Sequence, residues 1–435
     1  MNAETSTIIN TVWVLTATVL VLLMQGGFAM LEAGFSRGKN VGAVVSKVLA
    51  NMGISLIIFW AVGFAIAFGQ GNPVIGTSGF FLQEPSLSTF ASLDYSNVPI
   101  DGKFLFQAAF CSVSLAIVWG AMLDRTRFRV YVIFAIIYAA LIYPMVAHSV
   151  WGGGLLSELG AQDFAGSSVV HLSGAAAALA GTLVLGPRIG KFDASGKAQQ
   201  LPGHSMPLAV LGALLIFVGF FGFNAGSFLA ADVRIVDVAM NTALAAAAGV
   251  IGAMIISTGV LRTVDVGLTG NGALAGLVAI TAPCAFVEPW AAIVIGLIGG
   301  CVMVGVVLLI ERIRIDDPLG AIAAHGSAGI WGTLACGLFS TGALAELTGF
   351  GRAGLFYGGG LHQLGVQAIT VVAIAGFVFT STWVLFKVVD RVVGLRVGAL
   401  EEIEGLDIHE HGQWGYPEQF STASVTTSTV PPKSG

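Results

Sequence analysis

Apolar residues run through this chain in stretches too long for a water-soluble core. A helix that crosses a bilayer needs about 20 such residues, because it must satisfy its own backbone N–H and C=O groups across about 30 Å of hydrocarbon. Eleven stretches of that kind occur, near residues 8–32, 41–69, 104–123, 128–148, 163–186, 207–230, 238–261, 267–287, 289–310, 318–342 and 364–389. Only 10% of the 435 residues are charged, whereas soluble domains carry about 25%. Too little charge remains to cover a soluble surface. The 59 glycines suit close helix packing in lipid. The pattern predicts an all-α polytopic membrane protein with eleven transmembrane helices.

Lys and Arg set the orientation. With the N-terminus outside, the inner loops and tail hold Arg37, Lys39, Lys47, Arg125, Arg127, Arg129, Arg188, Lys191, Lys197, Arg262, Arg312, Arg314, Lys387, Arg391, Arg396 and Lys433. The outer loops hold Lys103, Arg234 and Arg352, so the ratio is 16 to 3. One helix more or fewer would scramble that asymmetry. The C-terminus is therefore expected in the cytoplasm, and the protein in the cell (inner) membrane. The first residues, MNAETSTIIN, have no basic stretch before the apolar run, so a cleaved signal peptide is not expected.

Residues 1–393 form the expected transmembrane domain. Residues 394–418, GLRVGALEEIEGLDIHEHGQWGYPE, are dense in charge and glycine and form an expected cytoplasmic tail. Residues 419–435 are rich in Ser, Thr and Pro and read as disordered. Cys111, Cys284, Cys301 and Cys336 lie in apolar runs without CxxC spacing, which argues against disulfides and zinc. No basic surface suited to nucleic acid occurs.

An internal repeat carries the candidate site. The fifth run begins DFAGSSVVHLSG and the tenth DPLGAIAAHGSAG. Both read D-x-x-G-x-x-x-x-H-x-S, through Asp163, Gly166, His171 and Ser173 and through Asp317, Gly320, His325 and Ser327. The two runs lie five helices apart and enter from opposite faces, so the chain is an inverted five-helix repeat plus a final helix. Each His lies eight residues beyond its Asp, about 12 Å at 1.5 Å per residue. His171 and His325 therefore converge near the midplane, where ionisable groups usually mark a pathway. A metal there would need a third ligand, and no residue is placed to supply one. Each Ser lies only two residues from its His on a helix, so a Ser–His nucleophile is poorly supported and the chain does not read as an enzyme. Asp163 and Asp317 read first as helix caps; Asp163, at the outer vestibule, is also placed to favour a cation.

Around these residues the chain resembles the ammonium transporter (Amt/Mep/Rh) family over nearly its full length. The shared motifs are MQGGFAMLEAGFSRGKN from Met24, FQAAF from Phe106, AHSVWGGG from Ala147, DFAGSSVVH from Asp163, FGFNAGS from Phe221, DDPLGAIAAHG from Asp316 and GLRV from Gly394. The resemblance implies a homotrimer with one pore per subunit and no cofactor. It implies an outer cation site at Trp151 and Ser227 beside Phe110, supported by Asp163. It also implies a gate of Phe110 over Phe223, with His171 and His325 lining the pore below. Where many members carry Trp beside the second gate residue, this chain has Phe220. Taken singly, Trp151 reads as an interface anchor, the phenylalanines as core, and Ser227 as small-residue packing.

The implied chemistry is coherent. Ammonium and potassium are close in size, but only ammonium can lose a proton and cross a dry pore as a neutral molecule. Trp151 can attract the cation through its ring face, Ser227 can accept an N–H, and the histidines offer nitrogen partners or a proton relay. A sensor of the same fold with little flux is the alternative. The resemblance further implies that the tail docks on the inner face and responds to a PII-type signalling protein. Arg125, Arg127, Arg129, Arg188 and Lys191 are the expected partners of Glu401, Glu402, Glu404 and Asp407. Glu32 is expected in a structural pair near the inner face.

Overall fold

The computed structural model describes residues 2–420. Among them there is no β-strand, and eleven apolar helices cross the expected membrane. They are α1 (Ala3–Phe35), α2 (Gly38–Phe68), α3 (Ile100–Gly120), α4 (Phe128–Glu158, broken at Trp151), α5 (Ser167–Leu185), α6 (Met206–Gly226), α7 (Ile235–Leu261), α8 (Val266–Thr281), α9 (Pro289–Arg312), α10 (Ile322–Phe339) and α11 (His362–Val393). Ten are 18 residues or longer, and α8 is a shorter apolar helix of 16. The eleven stretches expected from the sequence correspond to these helices one for one, with ends moved by a few residues. The face on which α1 starts is here called the Arg/Lys-poor face, and the opposite one the Arg/Lys-rich face.

The two repeats, α1–α5 and α6–α10, pack face to face through their first helices. Contact between α1 and α6 is backbone on backbone: a Cβ on Gly212 would lie 2.2 Å from the Leu31 nitrogen, and one on Gly34 2.4 Å from the Ala209 nitrogen. Apolar side chains gain little by hiding from lipid that is equally apolar, so close approach and dispersion hold such helices together. Helices α3, α5 and α10 are the most enclosed of the spans. Helix α11 lies across the outside, against α5 and α10.

Both Asp residues of the repeat stand four or more residues ahead of their helices rather than at the first helical position. Helix α5 starts at Ser167, and its cap position is Gly166, at φ +118°. In the second copy, Gly320 has φ +76°. A side chain there would be strained, so the glycine of each motif lets the chain turn back under its aspartate. Each helix then opens with a wide, five-residue-spaced turn, Ser167–Leu172 and Ile322–Ser327, that carries the histidine. The eight-residue spacing is thus a capped turn plus most of a wide turn, and the histidines lie nearer the helix starts than a straight rise of about 12 Å implies.

The tail folds back onto the Arg/Lys-rich face as three short helices, α12 (Ala399–Glu404), α13 (Leu406–His411) and α14 (Pro417–Phe420). The expected pairing does not form: among the described residues none of Arg125, Arg127, Arg129, Arg188 or Lys191 forms an ion pair with Glu401, Glu402, Glu404 or Asp407. Backbone groups take their place. Asp407, fully buried, accepts from the Gly42 and Ala43 N–H groups at the start of α2 (2.9 and 2.8 Å). Glu402 accepts from the Ile189 N–H at 2.7 Å and pairs with Arg396 at 2.8 Å. Arg127 and Arg129 donate to the Val393 carbonyl. A helix start offers unpaired N–H groups and a favourable dipole to a carboxylate, so it outcompetes an exposed ion pair. Described structure reaches Phe420, whose ring lies 5.3 Å from that of Trp414; the rest of the 419–435 segment, from residue 421, lies outside the described residues. Glu32 pairs with Lys47, and both are buried.

Candidate functional site

A cavity of about 570 Å³ opens on the Arg/Lys-poor face, among the loops that follow α2, α4, α6 and α10. Its lining includes Phe106, Gln107, Phe110, Trp151, Asp163, Ser227 and Phe228. The break at Trp151 is local: its backbone N–H still bonds the Ala147 carbonyl, but Gly152 and Gly154 turn back on His148. His148, buried, spans two carbonyls, those of Ala67 and Asn72. The indole is pinned by its N–H, which donates to the Asp163 carbonyl at 2.7 Å. Trp151 stays half-buried, with its ring edge-on to Phe110 at 6.1 Å.

Asp163 is consumed by capping. Its carboxylate accepts the N–H groups of Gly166, Ser167, Ser168 and Val169 at 2.7–3.0 Å and the Ser168 hydroxyl at 2.5 Å. The side chain is 2% exposed. Asp163 therefore acts on the cavity through its carbonyl, which orients Trp151, and through the α5 start that it holds. Ser227 donates its hydroxyl hydrogen to the Phe223 carbonyl at 2.8 Å. Its lone pairs are left as acceptors, and a cation carrying N–H groups is the complement.

Two rings close the cavity floor. Phe110 and Phe223 stack at 3.9 Å, inclined by 13°, and both are buried. A wide turn in α6, Phe221–Ala225, presents Phe223 to Phe110. Beneath Phe223, at 5.4 Å, lies the ring of His171. His171 and His325 are 0% and 2% exposed, and their Nδ1 atoms stand 3.2 Å apart. One Nδ1–H must donate to a bare Nδ1, so the pair is stable with both rings neutral. The two Nε2 atoms then differ: one is a bare acceptor and the other carries a hydrogen. The His171 Nε2 is buried and has no partner among the described residues. The pair thus offers one donor and one acceptor in apolar surroundings.

Phenylalanines flank the histidines. Phe220 stacks on His171 at 5.5 Å, where the resemblance implies Trp, so this wall has no indole donor. Phe28 lies 6.4 Å from His325 on the other side. The eight residues singled out from the sequence lie between the cavity and the histidine pair, Asp163 with its carboxylate turned to the start of α5. Missing from that reading were Phe28, which stands in the MQGGFAML motif, and Gln107, which stands three residues before Phe110. Gln107 is 7% exposed, lines the cavity and has its Oε1 unpaired. Helical spacing from residues already chosen was the available signal for Gln107. Nothing local marked Asp232, Arg234 and Phe228, which come to the cavity mouth from the loop after α6.

Comparison with known proteins gives concordant matches. The family model described as Ammonium Transporter Family covers residues 12–416. The chain is 42% identical over 428 residues to ammonium transporter Amt2 of Archaeoglobus fulgidus, spanning 95% of this chain and 89% of that protein. It is 37% identical over 415 residues to the ammonium transporter of Bacillus subtilis, spanning 94% and 99%. A solved structure described as a sensor Amt protein superposes with a TM-score of 0.86 at 34% identity, covering 94% of this chain and all of that one. Candida albicans Mep2 superposes at 0.85 with 28% identity, covering 97% and 93%.

Proposed function

The chain belongs to the ammonium transporter family, and from that premise we propose that it moves ammonium across a membrane by stripping one proton. Ammonium is recruited between the Trp151 face and the Ser227 hydroxyl, above Phe110. It gives its proton to water in the open cavity above the stacked Phe110–Phe223 gate, and ammonia passes along His171, His325 and Phe220, with or without the proton. The observation that carries this reading is the buried Nδ1–Nδ1 contact of 3.2 Å directly below the gate. A neutral pair sharing one Nδ1–H in a phenylalanine-walled passage suits a neutral solute that both donates and accepts hydrogen bonds. A bare cation would be strongly disfavoured there.

The protein works as a homotrimer in the cell membrane, with the Arg/Lys-rich face in the cytoplasm. Its tail, residues 394–418, is regulatory and open to a PII-type partner. Supporting this is the anchoring of Asp407 and Glu402 on the start of α2 and the loop after α5. Truncation before Gly394 should lower uptake while leaving the eleven helices folded.

A second reading is favoured by the superposition on a structure described as a sensor Amt protein. In that reading ammonium binds at the same cavity with little flux. Methylammonium uptake by proteoliposomes, with current recorded on the same preparation, separates the two. Uptake well above protein-free vesicles supports transport. Ammonium-dependent stabilisation of the protein with uptake at background supports the sensor.

A further inference from the structure

Among the described residues three Lys or Arg side chains, Lys103, Arg234 and Arg352, stand at the Arg/Lys-poor face, and one of them stands in the wall of a cavity suited to cations. Lys103 is buried, donating to the Leu93 and Ser96 carbonyls, and Arg352 is exposed. Arg234 lines the cavity mouth with Asp232 and Phe228. Its guanidinium lies 4.9 Å from the Phe228 ring centroid. Its Nε and Nη2 reach the two Asp232 carboxylate oxygens at 2.8 and 2.6 Å, and Nη1 donates to the Leu347 carbonyl. Carboxylate, aromatic face and carbonyl oxygen therefore surround the guanidinium on separate sides, groups of the kinds that hold a cation.

We propose that Arg234 is a resident cation that fills a cage at the mouth of the cavity and so denies it to free cations. A second cation site there would compete with Trp151 and Ser227 for ions entering the same cavity. A potassium ion held there would repel ammonium from the site below. With Arg234 in place, the carboxylate is neutralised and the Phe228 face is covered.

The cage survives loss of the arginine side chain. Asp232 Oδ1 also accepts the Arg234 backbone N–H at 2.8 Å, which fixes the carboxylate independently. Phe228 is held edge-on by Phe164 at 4.9 Å. Leu347 belongs to a short helix, Gly342–Thr348, whose start is capped by the Thr341 hydroxyl. An emptied cage is therefore available to potassium.

The test compares wild type, Arg234→Ala, Arg234→Lys and the double variant Asp232→Asn/Arg234→Ala, with Arg234→Gln in place of Arg234→Ala should the latter not fold. Two readouts are taken, each with and without excess potassium at constant ionic strength. One is the half-saturating methylammonium concentration for uptake, which rests on the transport reading. The other is the unfolding temperature of the purified protein, which does not. Potassium should raise the half-saturating concentration of Arg234→Ala roughly threefold and raise its unfolding temperature, by mass action at a new site. Wild type, Arg234→Lys and the double variant should respond to neither. Arg234→Ala as indifferent to potassium as wild type in the thermal readout overturns the proposal. So does Arg234→Lys behaving like Arg234→Ala, because the charge would then not be what fills the cage. Absence of uptake in wild type would count against the transport reading alone.

Discussion

The two copies of the D-x-x-G-x-x-x-x-H-x-S motif do the same thing to a histidine and different things to their surroundings. Asp163 caps four backbone N–H groups and a hydroxyl, and Asp317 caps two, those of Ala321 and Ile322. Beside Asp163, the chain leads to Trp151 and an open cavity. Beside Asp317 stands Asp316, locked between Arg188 at 2.9 Å and Arg125 at 3.9 Å, with Arg188 also reaching Asp124 at 3.2 Å. The loop after Arg188 is in turn held by Glu402 of the tail. The repeat therefore fixes the geometry of the histidine pair, while non-repeated neighbours give one end an open cavity and join the other to the tail.

Removing either histidine should break the symmetry most. His171→Ala or His325→Ala leaves the other Nδ1 buried and unpaired, at about 1–3 kcal/mol. Uptake per folded protein should change strongly in both variants, with assembly intact. If both assemble poorly and transport per folded protein is unaltered, the pair is structural.

The two aspartates are expected to differ. Asp163→Ala strands four N–H groups and the Ser168 hydroxyl, so it should cost more than the usual cap loss of about 0.5–2 kcal/mol. Asp317→Ala, with two N–H groups released, should fall within that range. Equal losses in unfolding temperature would mean that capping number does not separate the two ends.

Trp151→Leu acts on one end alone. It should raise the half-saturating ammonium concentration about 2- to 30-fold, the equivalent of about 0.5–2 kcal/mol for a face-on aromatic contact. An unmoved concentration dependence would remove Trp151 from the recruitment site.

The smallest effect concerns pH at the other end. Burial pushes the Asp317 carboxyl up to about 6, against the pull of the Ile322 and Ala321 N–H groups. A raised folded-state value means the folded protein binds the proton more tightly, so this group's contribution to stability rises as pH falls through about 6. Wild type should therefore gain in unfolding temperature relative to Asp317→Asn on going from about pH 7.5 to about pH 5. A gap that moves the other way contradicts the assignment of that burial.

Much of this was legible in the sequence because it is written in side-chain type and period. Apolar length marked the helices, the Arg/Lys asymmetry separated the faces, and the repeat brought His171 to His325. Backbone-level devices left no such mark. The wide turns that present Phe223 and both histidines have no compositional signature. Backbone donors at the start of α2 and in the loop after α5 cannot be read from charge, which is why exposed pairs were expected for Asp407 and Glu402 where backbone N–H groups serve. Arg234 and Phe228 meet at the cavity mouth only after the loop following α6 folds over it.

The central claim is selectivity by deprotonation in a dry pore. It is tested most directly by measuring ammonium and potassium flux side by side in proteoliposomes, for wild type and for the double variant His171→Asp/His325→Glu. The account predicts ammonium uptake with potassium at background in wild type. It predicts potassium flux in the acidic variant, because fixed negative charge hydrates the passage and stabilises a bare cation. Potassium flux comparable to ammonium in wild type, or none in a well-folded acidic variant, would contradict it.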